Sequence, residues 1–67
     1  MTDIIKYKGY TGSVEFSSDD NLYYGKVQGI KSLISYEGKT IDLLIEDFQK
    51  AINLYEEVLY GLSNSER

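Results

Sequence analysis

The sequence contains no cysteine, no histidine, no tryptophan and no proline. Without Cys there is no disulfide, no thiolate metal centre and no thiol nucleophile. Without His, the commonest metal ligand and the commonest general base are both missing. Catalysis is therefore not expected, and no catalytic, metal-binding or cofactor-binding residue is assigned. Positive charge is scarce as well: seven Lys and Arg stand against eleven Asp and Glu, a formal net charge of -4. An acidic chain repels phosphate backbones, which argues against nucleic acid as a general ligand and for a basic partner. No apolar run approaches the roughly 18 residues of a membrane span. Met1-Thr2-Asp3 lacks the basic start of a signal peptide. A soluble, cytoplasmic protein with no membrane partner is the expectation.

What is present is a chain 42% hydrophobic and 13% aromatic, too apolar to stay disordered. At 67 residues it forms one domain. A domain of that size buries only about 60% of the surface its unfolded chain exposes. With no covalent or metal staple, association with another chain is the remaining route to stability, and a homodimer or higher homo-oligomer is expected.

The first half reads as strands. Tyr10, Gly12, Val14 and Phe16 alternate with Thr11, Ser13, Glu15 and Ser17, which sends the first set to a core and the second to water. Ile4 to Lys8 is also β-prone, so residues 4–17 read as one long strand bent near Gly9 and Gly12. A separate first strand is the alternative. Ser17-Ser18-Asp19-Asp20-Asn21 is a hairpin loop of small polar residues that bond their own backbone. A strand over 22–28, a connection through Gly29 and a third strand over 33–37 complete an antiparallel meander.

From Ile41 the period changes. Ile41, Ile45, Phe48, Ile52, Tyr55, Leu59 and Leu62 recur at spacings of four and three, and Leu44, Ala51 and Val58 widen their face. The pattern predicts a helix over 41–60, with Thr40 as N-cap and Gly61 as stop. The whole is then a single α+β domain over 1–62: a three-stranded antiparallel sheet with one long C-terminal helix across it, and a frayed tail over 63–67.

Several features bear on function. Seven tyrosines could stack bases, but Lys6, Lys8, Lys26, Lys31 and Lys39 are scattered and form no basic groove, so core and interface roles suit them better. Tyr23 and Tyr24 must point to opposite faces, one inward and one outward. Leu43 and Leu54 lie beyond an ordinary core stripe and, with Tyr24, are candidates for self-association. Glu15, Asp19, Asp20 and Glu37 fall on the solvent side or at strand ends and are candidates for meeting a basic partner. Asp19-Asp20-Asn21 lacks the spaced ligands and closing Glu of a calcium loop. The glycines have no Walker spacing and read as bulges and turns.

The order Tyr7-Lys8-Gly9-Tyr10-Thr11-Gly12-Ser13-Val14-Glu15-Phe16-Ser17, then Tyr24-Gly25-Lys26-Val27 with Gly29-Ile30, then Leu33-Ile34-Ser35-Tyr36-Glu37-Gly38 and a Phe-bearing amphipathic helix, resembles the HicB family. These are antitoxins of bacterial type II toxin–antitoxin pairs, and the likeness runs over about residues 5–60. It implies a partial, catalytically inactive RNase-H-like domain that binds and masks a small, basic, mRNA-cleaving toxin of HicA type. Full-length members continue past the helix into a further strand and a DNA-binding segment, neither of which is visible before Arg67. Direct DNA binding by this chain is accordingly not expected, and the slot of the further strand would be an open sheet edge that invites pairing with another chain.

Overall fold

Lys8 and Gly9 turn the chain where a bent strand was expected. In the computed structural model, which describes residues 3–60, both have positive φ, 54° and 85°. Two such residues in succession make the two-residue hairpin turn whose twist suits the flanking strands. The segment over 4–17 is therefore two strands, β1 (Asp3–Tyr7) and β2 (Tyr10–Ser17), with Tyr7 opposite Tyr10. The sheet has four strands in the order β1-β2-β3-β4 rather than three, all antiparallel. Residue alternation did not reveal the turn, because Lys8-Gly9 lacks the usual Asn-Gly or Asp-Gly signature.

The remaining elements follow the pattern more closely. β3 (Leu22–Gln28) covers the expected residues, and Asn21, at φ 55°, closes the loop before it. β4 (Ser35–Gly38) begins two residues later than expected and leaves Leu33 outside it, although the Val27 N–H still donates to the Ile34 carbonyl at 2.9 Å. The helix α1 (Ile41–Tyr60) has the expected bounds, and the Leu43 N–H donates to Thr40 Oγ1 at 3.1 Å, as an N-cap requires. The expected stop at Gly61, Leu62 of the apolar stripe and the tail over 63–67 lie outside the described residues.

One face of the sheet packs against α1. Leu44, Phe48 and Ile52 are fully buried and meet Val14, Val27 and Tyr36. The buried line is rotated from the expected one, since Ile41 and Leu59 are exposed while Asn53 and Glu56 are half-buried. The cause is the β1–β2 hairpin. The Tyr7 hydroxyl and Lys8 Nζ donate to Asn53 Oδ1 at 3.2 and 2.9 Å, and Lys8 Nζ lies 3.3 Å from Glu56 Oε1. Lys8 thus supplies the countercharge that the acidic last turns of the helix lack in their own sequence.

Tyr36 crosses the middle of the packed face. Its ring centroid lies 4.9 Å from that of Phe48, and its hydroxyl donates to the Ser13 carbonyl at 2.8 Å, with the Lys26 carbonyl at 3.2 Å. Gly12 and Gly25 make room for it: a Cβ on Gly12 would overlap the Tyr36 hydroxyl, and one on Gly25 the Ser13 carbonyl. These two glycines serve close approach, not the bulges assigned to them, whereas Gly9 and Gly29 occupy turns with positive φ. Ser13, expected on water, is buried at 3% exposure because the β2–β3 ladder opens there. The Lys26 N–H donates to Ser13 Oγ at 3.1 Å instead of to a ladder carbonyl. Phe16, expected in the core, is half exposed; it lies outside the central cluster and packs on Tyr23 at 4.9 Å near the hairpin loop.

Candidate interaction face

The sheet face turned away from α1 carries the acidic residues singled out in the sequence. Strand alternation and register place Glu15 of β2, Tyr24 of β3 and Glu37 of β4 in one row across it, since Tyr24 stands opposite both. The Tyr24 hydroxyl donates to Glu15 Oε1 at 3.4 Å. All three side chains are exposed.

At the hairpin-loop end this row borders a groove of about 590 Å³. Tyr24 and Gly25 of β3, Glu37 of β4, Asp20 of the loop and Asp47 of the helix contribute to its walls. Asp20 is held by its own turn, its N–H donating to Ser17 Oγ at 3.3 Å. Asp47 reaches round the sheet edge and accepts the Glu37 N–H at 3.0 Å through Oδ2. Three carboxylates thus border one groove, and tyrosine forms part of its wall. Tyr36 also touches it, but its hydroxyl is turned inward, and burial pushes that phenol up to about 12.

Of the four acidic residues expected to face a partner, Asp20 and Glu37 come together at the groove and Glu15 joins them through Tyr24. Asp19 is exposed in the same loop but is not part of the wall. Asp47 was not a candidate. No local signal in the sequence connects it with an amide ten residues earlier. Among the described residues no three acidic side chains converge closely enough to hold a metal ion.

Of the residues proposed for self-association, Tyr24 lies apart from the two leucines. Tyr24 stands on the bare sheet face, Leu43 begins the helix, and Leu54 borders a second groove of about 480 Å³ with Leu33, Ile34, Ala51 and Val58. That groove is apolar, and Leu33 and Val58 beside it are 83% and 72% exposed. Leu43 and Leu54 are both exposed on one stripe of the helix, three turns apart, and Leu54 borders the groove beside the loop before β4. No helix among the described residues is long and apolar enough to cross a membrane. Comparison with known proteins finds no match to this chain, whether among family models, curated proteins or solved structures.

Proposed function

We propose that this chain is an antitoxin-type binding protein that masks a small, basic, mRNA-cleaving toxin of HicA type, acting in the cytoplasm by occupancy and without turnover. The observation that carries the reading is the bare sheet face with its in-register row Glu15–Tyr24–Glu37 and the carboxylates of Asp20 and Asp47 at the same end. The resemblance of residue order to HicB antitoxins supplies the partner, and the partial RNase-H-like character of the fold belongs to the same reading. The net charge of -4 agrees with it.

The mechanism is competition. A protein that cleaves RNA must present cations to phosphate oxygens. Carboxylates set on a rigid sheet can take those cations in their place, while Tyr24 offers a flat apolar and polar surface beside them. The overall negative field speeds encounter with a basic partner, and close contacts then set the lifetime of the complex.

Co-expression with a small basic toxin of HicA type tests the proposal. Restored growth and a complex stable to gel filtration are expected. Reversing two charges, Asp20→Lys with Glu37→Lys, is expected to weaken that complex by about tenfold or more at low salt. Continued growth arrest with no complex would overturn the reading.

A further inference from the structure

β4 is an edge strand, and half of its backbone faces outward. The Ile34 carbonyl accepts from Val27, and Tyr36 stands opposite Gly25, so alternation turns the N–H and C=O of Ser35 and Glu37 away from β3. Asp47 covers the Glu37 N–H. Among the described residues no protein group bonds the backbone of Ser35. The two grooves meet at this residue, which belongs to the walls of both. The open edge therefore has one acidic end, at Glu37 and Asp47, and one apolar end, at Leu33, Leu54 and Val58.

We propose that the β4 edge receives an extended segment of a basic protein as a fifth strand. That segment carries Lys or Arg at the Glu37–Asp47 end and apolar side chains at the Leu33–Leu54 end. Main-chain bonds to Ser35 supply the pairing, and the two grooves supply the selection. Asp47 has two roles in this arrangement. In the free protein its carboxylate satisfies the Glu37 N–H and discourages indiscriminate edge pairing. On docking, the incoming cation takes the carboxylate and a carbonyl of the added strand takes the N–H.

Charge decides the occupant. A second copy paired about a two-fold axis would run antiparallel, setting each acidic end against the apolar end of its twin. Carboxylates would lose water there without gaining a countercharge. A basic segment meets both ends with its complement. The inference depends on the antitoxin reading only for the origin of the segment, which would then be a strand or loop of the toxin.

Random decapeptides displayed on phage, selected against the full chain, provide a test that needs no toxin. Enrichment of peptides with Lys or Arg toward one end and alternating apolar residues toward the other is expected. Amide exchange at Ser35 should slow when such a synthetic peptide is added. Ser35→Pro deletes the outward N–H while leaving the β3 ladder intact, because its amide faces away from β3. Its circular dichroism should match the parent, and its affinity should fall about tenfold, the effect of losing a main-chain bond. Should that variant misfold, N-methylation of the peptide at alternate amides reads the same bond from the other side, one register losing affinity and the other keeping it. No enrichment, equal binding by both N-methyl registers, or Ser35 protection that rises with protein concentration alone would overturn the inference. A toxin complex that tolerates Ser35→Pro would remove the edge and leave the antitoxin reading standing; peptide capture without any toxin complex would do the reverse.

Discussion

Tyr36 and Tyr24 stand one strand apart, on opposite faces of the same sheet. Tyr36 lies under the helix at 3% exposure, against Phe48 and across two glycines, and its hydroxyl holds two carbonyls where the β2–β3 ladder opens. Tyr24 lies on the bare face at 40% exposure, and its hydroxyl reaches only the exposed Glu15. The same side chain organises a core in one place and presents a surface in the other. What separates them is whether the backbone beneath depends on the hydroxyl. On the packed face, polar atoms are committed and the shape is closed. On the bare face they are available, which is where binding can be added without cost to folding.

The sharpest way to break the packed face is to fill the space that Tyr36 needs. In Gly25→Ala the new methyl would overlap the Ser13 carbonyl, a backbone atom with no flexible side chain to give way. Either β2 and β3 separate further or the Tyr36 ring is displaced from its bonds. A loss of about 3 kcal/mol or more is expected, at the upper end for overpacked sites. In a domain this small that is much of the total stability. Urea unfolding followed by circular dichroism measures it, and a midpoint near that of the parent would mean that the sheet is looser here than its geometry implies.

The packed face was also the harder one to read from the sequence. The bounds of α1, the strand β3 and the loop through Asn21 were legible, because apolar periodicity, the Thr40 cap and a run of small polar residues are local signals. The separate β1 was not, since Lys8 takes a conformation that its residue type seldom adopts. Ser13 read as a solvent residue because alternation assumes an unbroken ladder, and the opening beside it is made by Tyr36 from twenty-three positions away. Asn53 and Glu56 are drawn inward by Lys8 from 45 and 48 positions away, about twice as far in sequence. On the bare face, alternation alone placed Glu15 and Glu37 correctly, while Asp47 needed the three-dimensional structure.

Removing only the Tyr36 hydroxyl, in Tyr36→Phe, separates shape from bonding. The ring still fills the space over Gly12 and Gly25, but the Ser13 carbonyl loses its donor and the Lys26 carbonyl keeps only the Ser13 hydroxyl, at 3.5 Å. An unsatisfied buried acceptor costs about 1–3 kcal/mol. The parent should also lose stability in alkali. An unfolded tyrosine titrates near 10, whereas burial holds Tyr36 near 12. The folded state therefore keeps its proton over a range in which the unfolded state has released it. The contribution is fully present below pH 10 and disappears as pH rises through 12, by about 2–3 kcal/mol for a shift of this size. The difference in stability between parent and Tyr36→Phe should shrink across that window. A constant difference would show that the phenol ionises as freely in the fold as outside it.

The smallest effect on folding is expected from the matching change on the other face. Tyr24→Phe removes a hydroxyl whose bond to Glu15, at 3.4 Å, lies in water, and it leaves the ring in its row between Glu15 and Glu37. Exposed polar contacts of this kind are replaced by water at little cost, so stability should stay within about 0.5 kcal/mol of the parent. Its effect belongs to binding instead. If the bare face meets a basic partner, freeing the Glu15 carboxylate from Tyr24 leaves the countercharge in place and removes one hydrogen-bonding group from the contact. The complex should weaken by a few-fold at most, far less than on reversing Asp20 and Glu37. A loss of stability as large as that in Tyr36→Phe would contradict the division between the two faces, because it would mean that the fold leans on the exposed face as well as on the packed one.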